Sequence, residues 1–461
     1  MIDATAAKAT RINLLSFSSP QMRAFHMSWL AFFACFFAWF AVAPLMPIIK
    51  SQFALSADQI ANVNIAAVGI TILARLVIGP LCDRFGPRAV YTALLSLGAI
   101  PVLGIAFATG YPTFLLSRLL VGAIGASFVV TQYHTCVHFA PNVVGTANAT
   151  SAGWGNSGGG VTQSTMPWVL AALLGAGIAK GMAWRLSMIV PAALMLVVAC
   201  GYWSWTQDCP KGNYGELRKA GIEIESGKKG GWDVFRQAMG NYRSWMLFTT
   251  YGACFGIELF VHSVAASYYV DRFKLDLQSA GMAAGSFGLM ALFARAFGGL
   301  LSDRLAHARG LDARTGLLFV LMLGEGAGLI WFSTTQTVTA AVVAMITFGL
   351  FTHMACGSTY ALVPFIDRKA LGGVAGIVGA GGNVGAVAAG FLLKGVGDVQ
   401  RCFAILGVVA LASSFCAILV RFSARQKADE KDLYEKALFE RHAAISYAGV
   451  PPVAAAAQSQ R

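Results

Sequence analysis

Two arginines stand inside apolar stretches of this chain in matching surroundings. In ARLVIGPLCDRFGPR (residues 74–88), Arg75 precedes a charged turn carrying Asp83, Arg84 and Arg88; in ARAFGGLLSDR (residues 294–304), Arg295 precedes Asp303 and Arg304. Residues four apart stack on one helix face, so each arginine lies about 12 Å along a helix from its turn, too deep for easy snorkelling. An arginine near the middle of a hydrophobic slab costs at least about 2.5 kcal/mol. Neither sequence places a carboxylate four residues to either side, so the countercharge must come from another helix or from a bound anion. A planar fork of N–H donors suits a planar oxyanion such as nitrate, nitrite or a carboxylate, where a lysine would offer only a point charge.

Two carboxylates, Glu258 and Glu325, are themselves embedded in apolar stretches. They neutralise the arginines as fixed salt bridges, or else the two guanidinium groups meet across an interface and hold a small anion between them; the sequence leaves both arrangements open. A second matched pair consists of amides within glycine clusters: Asn156 in AGWGNSGGG and Asn383 in GIVGAGGNVG. Gly155 with Gly159, and Gly381 with Gly385, have the spacing of tight helix packing. The same bare faces would let a helix slide and expose backbone to a small substrate. Arg118, four residues before Gly122, reads as a structural or gating pair, as do the turn residues Asp83, Arg84, Arg88, Asp303 and Arg304. Glu258, Glu325 and His262 are the candidates for proton coupling, while His134 and His353 could also titrate or serve as packing residues.

These residues need helices that cross a bilayer. Of 461 residues, 57% are apolar and 12% charged, against about 25% charged in a soluble domain. Twelve spans of at least about 20 residues are expected near 24–49, 60–80, 89–109, 112–135, 144–170, 183–205, 244–270, 280–301, 315–335, 338–364, 371–392 and 402–422. The expected organisation is a segment 1–23, a six-helix bundle 24–205, a connecting loop 206–243, a second bundle 244–422 and a tail 423–461 with a short helix through KDLYEKALFERHA. The net charge of +13 gathers in the loops that lie inside when both termini are cytoplasmic, which is a topology signal and not a nucleic-acid surface. The basic 206–243 loop lies against lipid headgroups or is a plain linker. The nine cysteines lack the paired spacing of a metal site or disulfide framework. No nucleophile, acid and base are grouped as an enzyme would require, and no cofactor or obligate protein partner is implied.

Together these pieces resemble the major facilitator superfamily. GPLCDRFGPR is similar to its loop signature, GGLLSDR echoes it, and Arg118 with Gly122 is similar to its fourth-helix motif. Within the superfamily the chain resembles the nitrate/nitrite porter family through the two asparagine signatures, the paired arginines and DCPKGNYGEL at 208–217. The resemblance implies two pseudo-symmetric six-helix bundles and alternating access in a bacterial cytoplasmic membrane. It also implies nitrate and nitrite as substrates, with Arg75 and Arg295 as their binding arginines. Asn156, Asn383 and Tyr251 would be polar partners, and Phe128 and Phe40 aromatic walls. The family includes both nitrate/nitrite exchange and proton-coupled uptake. A transporter of another small anion and an anion sensor of the same fold are the rival readings.

Overall fold

The computed structural model describes residues 7–140, 143–222, 232–367 and 370–428. In chain order its long helices are α1 (Pro20–Phe53), α2 (Ala57–Phe85), α3 (Pro87–Ala106), α4 (Tyr111–His138), α5 (Val144–Gly175), α6 (Lys180–Trp205), α7 (Tyr242–Phe273), α8 (Leu277–Ala306), α9 (Asp312–Thr334), α10 (Val338–Ile366), α11 (Gly372–Val396) and α12 (Val399–Leu419). Eleven of them are long and apolar enough to cross a membrane; the chain is an all-α, multi-pass membrane protein. The exception is α5. It has 32 residues, but the glycines and amides that singled it out in the sequence also dilute its hydropathy.

Local chemistry explains the boundaries. Ser19 caps α1 by accepting from the Met22 amide, with Pro20 at the first helical position, so the helix begins ahead of the expected residue 24. Ser56 and Gln59 form a reciprocal capping box at the start of α2, satisfying two amides that would otherwise lack partners. The chain leaves α2 at Gly86, whose φ of +88° disfavours any side chain. Among its described residues, the expected linker between α6 and α7 contains two short helices, Tyr214–Lys219 and Trp232–Gly240. The segment KDLYEKALFERHA lies outside the described residues.

Close helix approach follows the glycines. A Cβ on Gly160 of α5 would fall 2.5 Å from the Leu289 amide nitrogen of α8, and one on Gly281 of α8 would fall 2.4 Å from the Gln163 carbonyl of α5. On α11, Gly385 meets the Gly252 backbone of α7, and Gly390 receives Ile65 of α2. The α5–α8 and α2–α11 contacts therefore join the first half of the chain to the second. Small residues are what allow backbones to meet where lipid offers no hydrophobic drive to association.

Candidate functional site

Arg75 projects from α2 between α4 and α11. It donates to the Gly379 carbonyl at 3.0 Å and the Gly125 carbonyl at 3.4 Å. Gly125 lies in a 3₁₀ stretch, Gly122–Ala126, inside α4, where the change of hydrogen-bond register can leave a carbonyl for a side chain. Glycine at 379 matters for a different reason: a Cβ there would lie 3.1 Å from the Tyr360 hydroxyl and 3.6 Å from the Arg75 guanidinium. Among the described residues no carboxylate pairs with Arg75, and its Nε has no partner.

Around Arg75 is a wall of aromatic rings. Its guanidinium carbon lies 5.5 Å from the Phe128 ring centre and 5.9 Å from that of Phe255. Tyr251 stacks on Phe255 at 5.1 Å and meets Tyr360 edge-on at 5.0 Å, and Tyr360 meets Phe128 edge-on at 5.6 Å. Ring faces attract a guanidinium through their quadrupole, most strongly when water is excluded.

Arg295 shares Phe255, with its guanidinium carbon 5.3 Å from the ring centre, but its charge is answered differently. It donates to Oε2 of Glu258 at 2.5 Å. The same oxygen lies 3.3 Å from Nδ1 of His353 and receives the Cys356 thiol at 3.7 Å. The two matched arginines are therefore unequal: Arg295 has a carboxylate, Arg75 only carbonyls and rings. Of the two arrangements the sequence left open, the salt bridge is present at Arg295, and Glu258 makes it. Glu325 pairs with neither arginine, and both its oxygens lack a hydrogen-bond partner among the described residues.

The signature amides flank this layer. Asn383 stands four residues after Gly379 and donates to that carbonyl at 3.4 Å, while its oxygen is unpartnered. Asn156 lies three residues after Gly153, which faces Ala291 and Arg295, and four before Gly160, which faces Gly288. Helical spacing puts it on the face turned to α8. It is fully buried, and neither amide atom has a partner among the described residues. Such groups are costly when left dry.

Phe40 packs on Trp39 and His262. His262, with both ring nitrogens unpartnered, fills the space above Gly159 and Gly288. Gly155 receives Phe32, and Gly381 the Phe248 carbonyl. Arg118 donates to the Trp39 carbonyl at 2.8 Å, which ties α4 to α1. His134 is engaged by Tyr202 and the Gln207 carbonyl.

The charged turns form a separate layer at the ends of the helices. Asp208, after α6, accepts from the Arg88 and Tyr214 amides, each at 2.9 Å, and so caps α3 and the Tyr214–Lys219 helix together. Burial raises its carboxyl above the ordinary aspartate value, against the lowering effect of those amides. Gly86 is needed here as well, since a Cβ would strike the Asp208 carboxyl at 2.3 Å. Arg218 reaches the carbonyls of Asp83 and Arg84, and the Tyr133 hydroxyl donates to Asp83 at 2.9 Å. The echo in the second half is plainer: Asp303 pairs with Arg314 at 2.6 Å, and Arg304 is exposed.

Sequence reasoning missed Phe255, Tyr360, Asp208 and the two carbonyls that hold Arg75. A signal for Phe255 was present. Tyr251, Phe255, Glu258 and His262 recur at helical spacing along one face of α7, and that face looks into the arginine layer.

Residues 28–367 match the Major Facilitator Superfamily. High affinity nitrate transporter 2.5 of Arabidopsis thaliana is 38% identical over 418 residues, covering 90% of this chain and 82% of that protein. Nitrate/nitrite transporter NrtP of Picosynechococcus is 30% identical over 79% of this chain and 83% of its own. A bacterial homologue of the human lysosomal transporter Spinster, in an inward-facing conformation, superposes with a TM-score of 0.67 over 89% of this chain and 98% of its own; at 14% identity that likeness is one of fold. With its signatures, paired arginines and relatives in agreement, the chain belongs to the nitrate/nitrite porter family of the Major Facilitator Superfamily.

Proposed function

We propose that this protein carries nitrate and nitrite across the membrane by alternating access and catalyses no covalent reaction. The observation that carries the reading is Arg75: a guanidinium walled by aromatic rings, with no carboxylate partner among the described residues, adjoining a second arginine across Phe255. A small planar anion would receive charge-assisted donors from this layer in a low-dielectric setting where each is strengthened. Asn156, Asn383 and Tyr251 are its polar partners, and Phe128 is its wall. The relatives, named as nitrate or nitrate/nitrite transporters, favour these substrates over other anions.

In this reading α5 is the twelfth span, its glycines and amides tolerated at membrane depth because neighbouring helices cover them. The spans divide into bundles 24–205 and 244–422 joined by the 206–243 connection, with both termini in the cytoplasm of a bacterial cell. The α2–α11 and α5–α8 contacts run from the arginine layer toward the ends bearing Asn62 and Lys394. With those ends outside, the described state is inward-facing. The glycine faces of α5 and α11 would be the sliding surfaces, and the Asp83 to Arg88 and Asp303 to Arg304 turns, with Arg118, would brace each bundle as it rocks.

The test is nitrate uptake by liposomes containing the purified chain, with internal nitrite and the proton gradient varied separately. Arg75→Ala and Arg295→Ala are expected to abolish uptake. Equal uptake by the variants, or none by the unaltered chain, would overturn the nitrate reading.

A further inference from the structure

The contact between His353 and Glu258 has a chemical consequence. Nε2 of His353 lies 3.1 Å from the Phe287 carbonyl. A carbonyl can only accept, so Nε2 carries the hydrogen, and in the neutral ring Nδ1 presents a lone pair. That lone pair would face Oε2 of Glu258 at 3.3 Å, with both side chains wholly buried. Two electron-rich atoms in a dry interior repel each other unless a proton sits on one of them. With a proton on either partner, the contact becomes attractive.

We propose that Glu258 and His353 together hold a co-transported proton, and that this proton decides whether Arg295 is committed to Glu258 or available to the anion. The inference rests on the transport reading and adds to it the coupling site. With the proton bound, the Arg295, Glu258 and His353 cluster carries one net positive charge, and with Arg75 the anion meets two. Loss of the proton leaves an ionised Glu258 bound to Arg295 and a neutral His353. The cluster is then uncharged, and Glu258 occupies the guanidinium that nitrate needs. Nitrate and the carboxylate thus compete for one fork, and protonation removes the carboxylate from the competition. No covalent bond is made; one proton enters with the anion and leaves after it.

The groups facing Glu258 fit this role. Arg295 comes from α8, His353 and Cys356 from α10, Tyr251 and His262 from its own helix, and Glu325 from α9. Arg295 is the only fixed cation among them. His262 has no hydrogen-bonded partner on either nitrogen among the described residues and contacts Phe40 and Phe287, so it lacks the acceptor that would hold a proton. Glu325 pairs with neither arginine among the described residues, so a proton on it would not change which partner a site guanidinium has. Among the described residues, Glu258 is the carboxylate paired with a site arginine, and His353 is the imidazole in contact with that carboxylate.

The experiment uses the purified full-length chain in detergent and measures nitrate affinity across pH, together with proton uptake on nitrate addition by a pH-indicator dye. Linkage requires the two readouts to agree. The unaltered chain is expected to weaken toward about tenfold in Kd per unit rise in pH, the limit for one linked proton, and to take up protons when nitrate is added. Glu258→Gln is expected to flatten the pH profile and abolish the uptake. His353→Gln, a second variant in case the first fails to fold, is expected to shift the profile and reduce the uptake. A pH-independent affinity in the unaltered chain, or retention of its slope and proton uptake in both variants, would overturn the proposal while leaving nitrate binding intact. Absence of nitrate binding at every pH would overturn the transport reading, and the proposal with it.

Discussion

Arg75 donates to the carbonyl of Gly379 at 3.0 Å, joining α2 to α11 at the level of the arginine layer. This bond links a side chain from the first half of the chain to backbone from the second. Rocking of the halves must strain or break it, so the residue that would bind the anion also reports which way the protein faces. Gly379→Ala puts a methyl group 3.1 Å from the Tyr360 hydroxyl and 3.6 Å from Arg75. We expect the nitrate KM to rise several-fold in liposome uptake. Gly376→Ala, which meets nothing within 4 Å, should stay within about 0.5 kcal/mol of the unaltered stability and leave KM alone.

Arg75→Lys tests the need for a planar fork. A lysine keeps the charge but cannot reach two carbonyls and an oxyanion with fixed, coplanar donors. Initial nitrate uptake should fall by more than about tenfold, which corresponds to about 1.4 kcal/mol of lost transition-state stabilisation. Size-exclusion chromatography should show the variant intact.

The capping role of Asp208 predicts a stability effect away from the arginines. Asp208→Ala leaves the Arg88 and Tyr214 amides without their shared acceptor and should cost about 1–2 kcal/mol, the upper range for a lost cap. The pH dependence has a definite sign. The folded carboxyl titrates above its unfolded value of 3.8, so the folded state holds the proton more tightly than the unfolded one. The contribution from Asp208 is therefore fully present below the unfolded value and declines as pH rises through the folded value. Thermal unfolding in detergent across mildly acidic pH should show this decline, and Asp208→Asn should remove it.

A fourth prediction concerns the far ends of α2 and α11, where Lys394 donates to the Asn62 side chain at 3.1 Å. In a cysteine-depleted background, Ile65→Cys with Gly390→Cys, whose β-carbons would stand 3.8 Å apart on the same two helices, should oxidise to a cross-link that blocks transport, and reductant should restore it. Efficient cross-linking with undiminished uptake would show that these ends do not separate during the cycle.

The class of this protein and the positions of its arginines were legible in the chain because burying a guanidinium carries a large local penalty. A residue that expensive stands out against an apolar background without reference to any neighbour. The glycine clusters were legible for a related reason: their spacing encodes how closely a helix can be approached, and Gly158, Gly160 and Gly385 each receive backbone from another helix. Even α5, too dilute in hydropathy to meet the criterion its neighbours satisfy, was visible through its glycines and Asn156.

What the sequence left open was the pairing of charges. Arg75 and Arg295 share one grammar, yet tertiary structure alone gives Glu258 to the second and, among the described residues, carbonyls and aromatic rings to the first. Glu258 and Arg295 are separated by 37 positions, and Arg75 and Gly379 by 304. No helical periodicity reaches across such intervals. The rotation of α7 brings Tyr251, Phe255 and Glu258 into one layer, and the rotation of α10 brings His353 against the same carboxylate oxygen. A sequence determines which groups are too costly to bury alone; the packing of helices determines which of them share the cost.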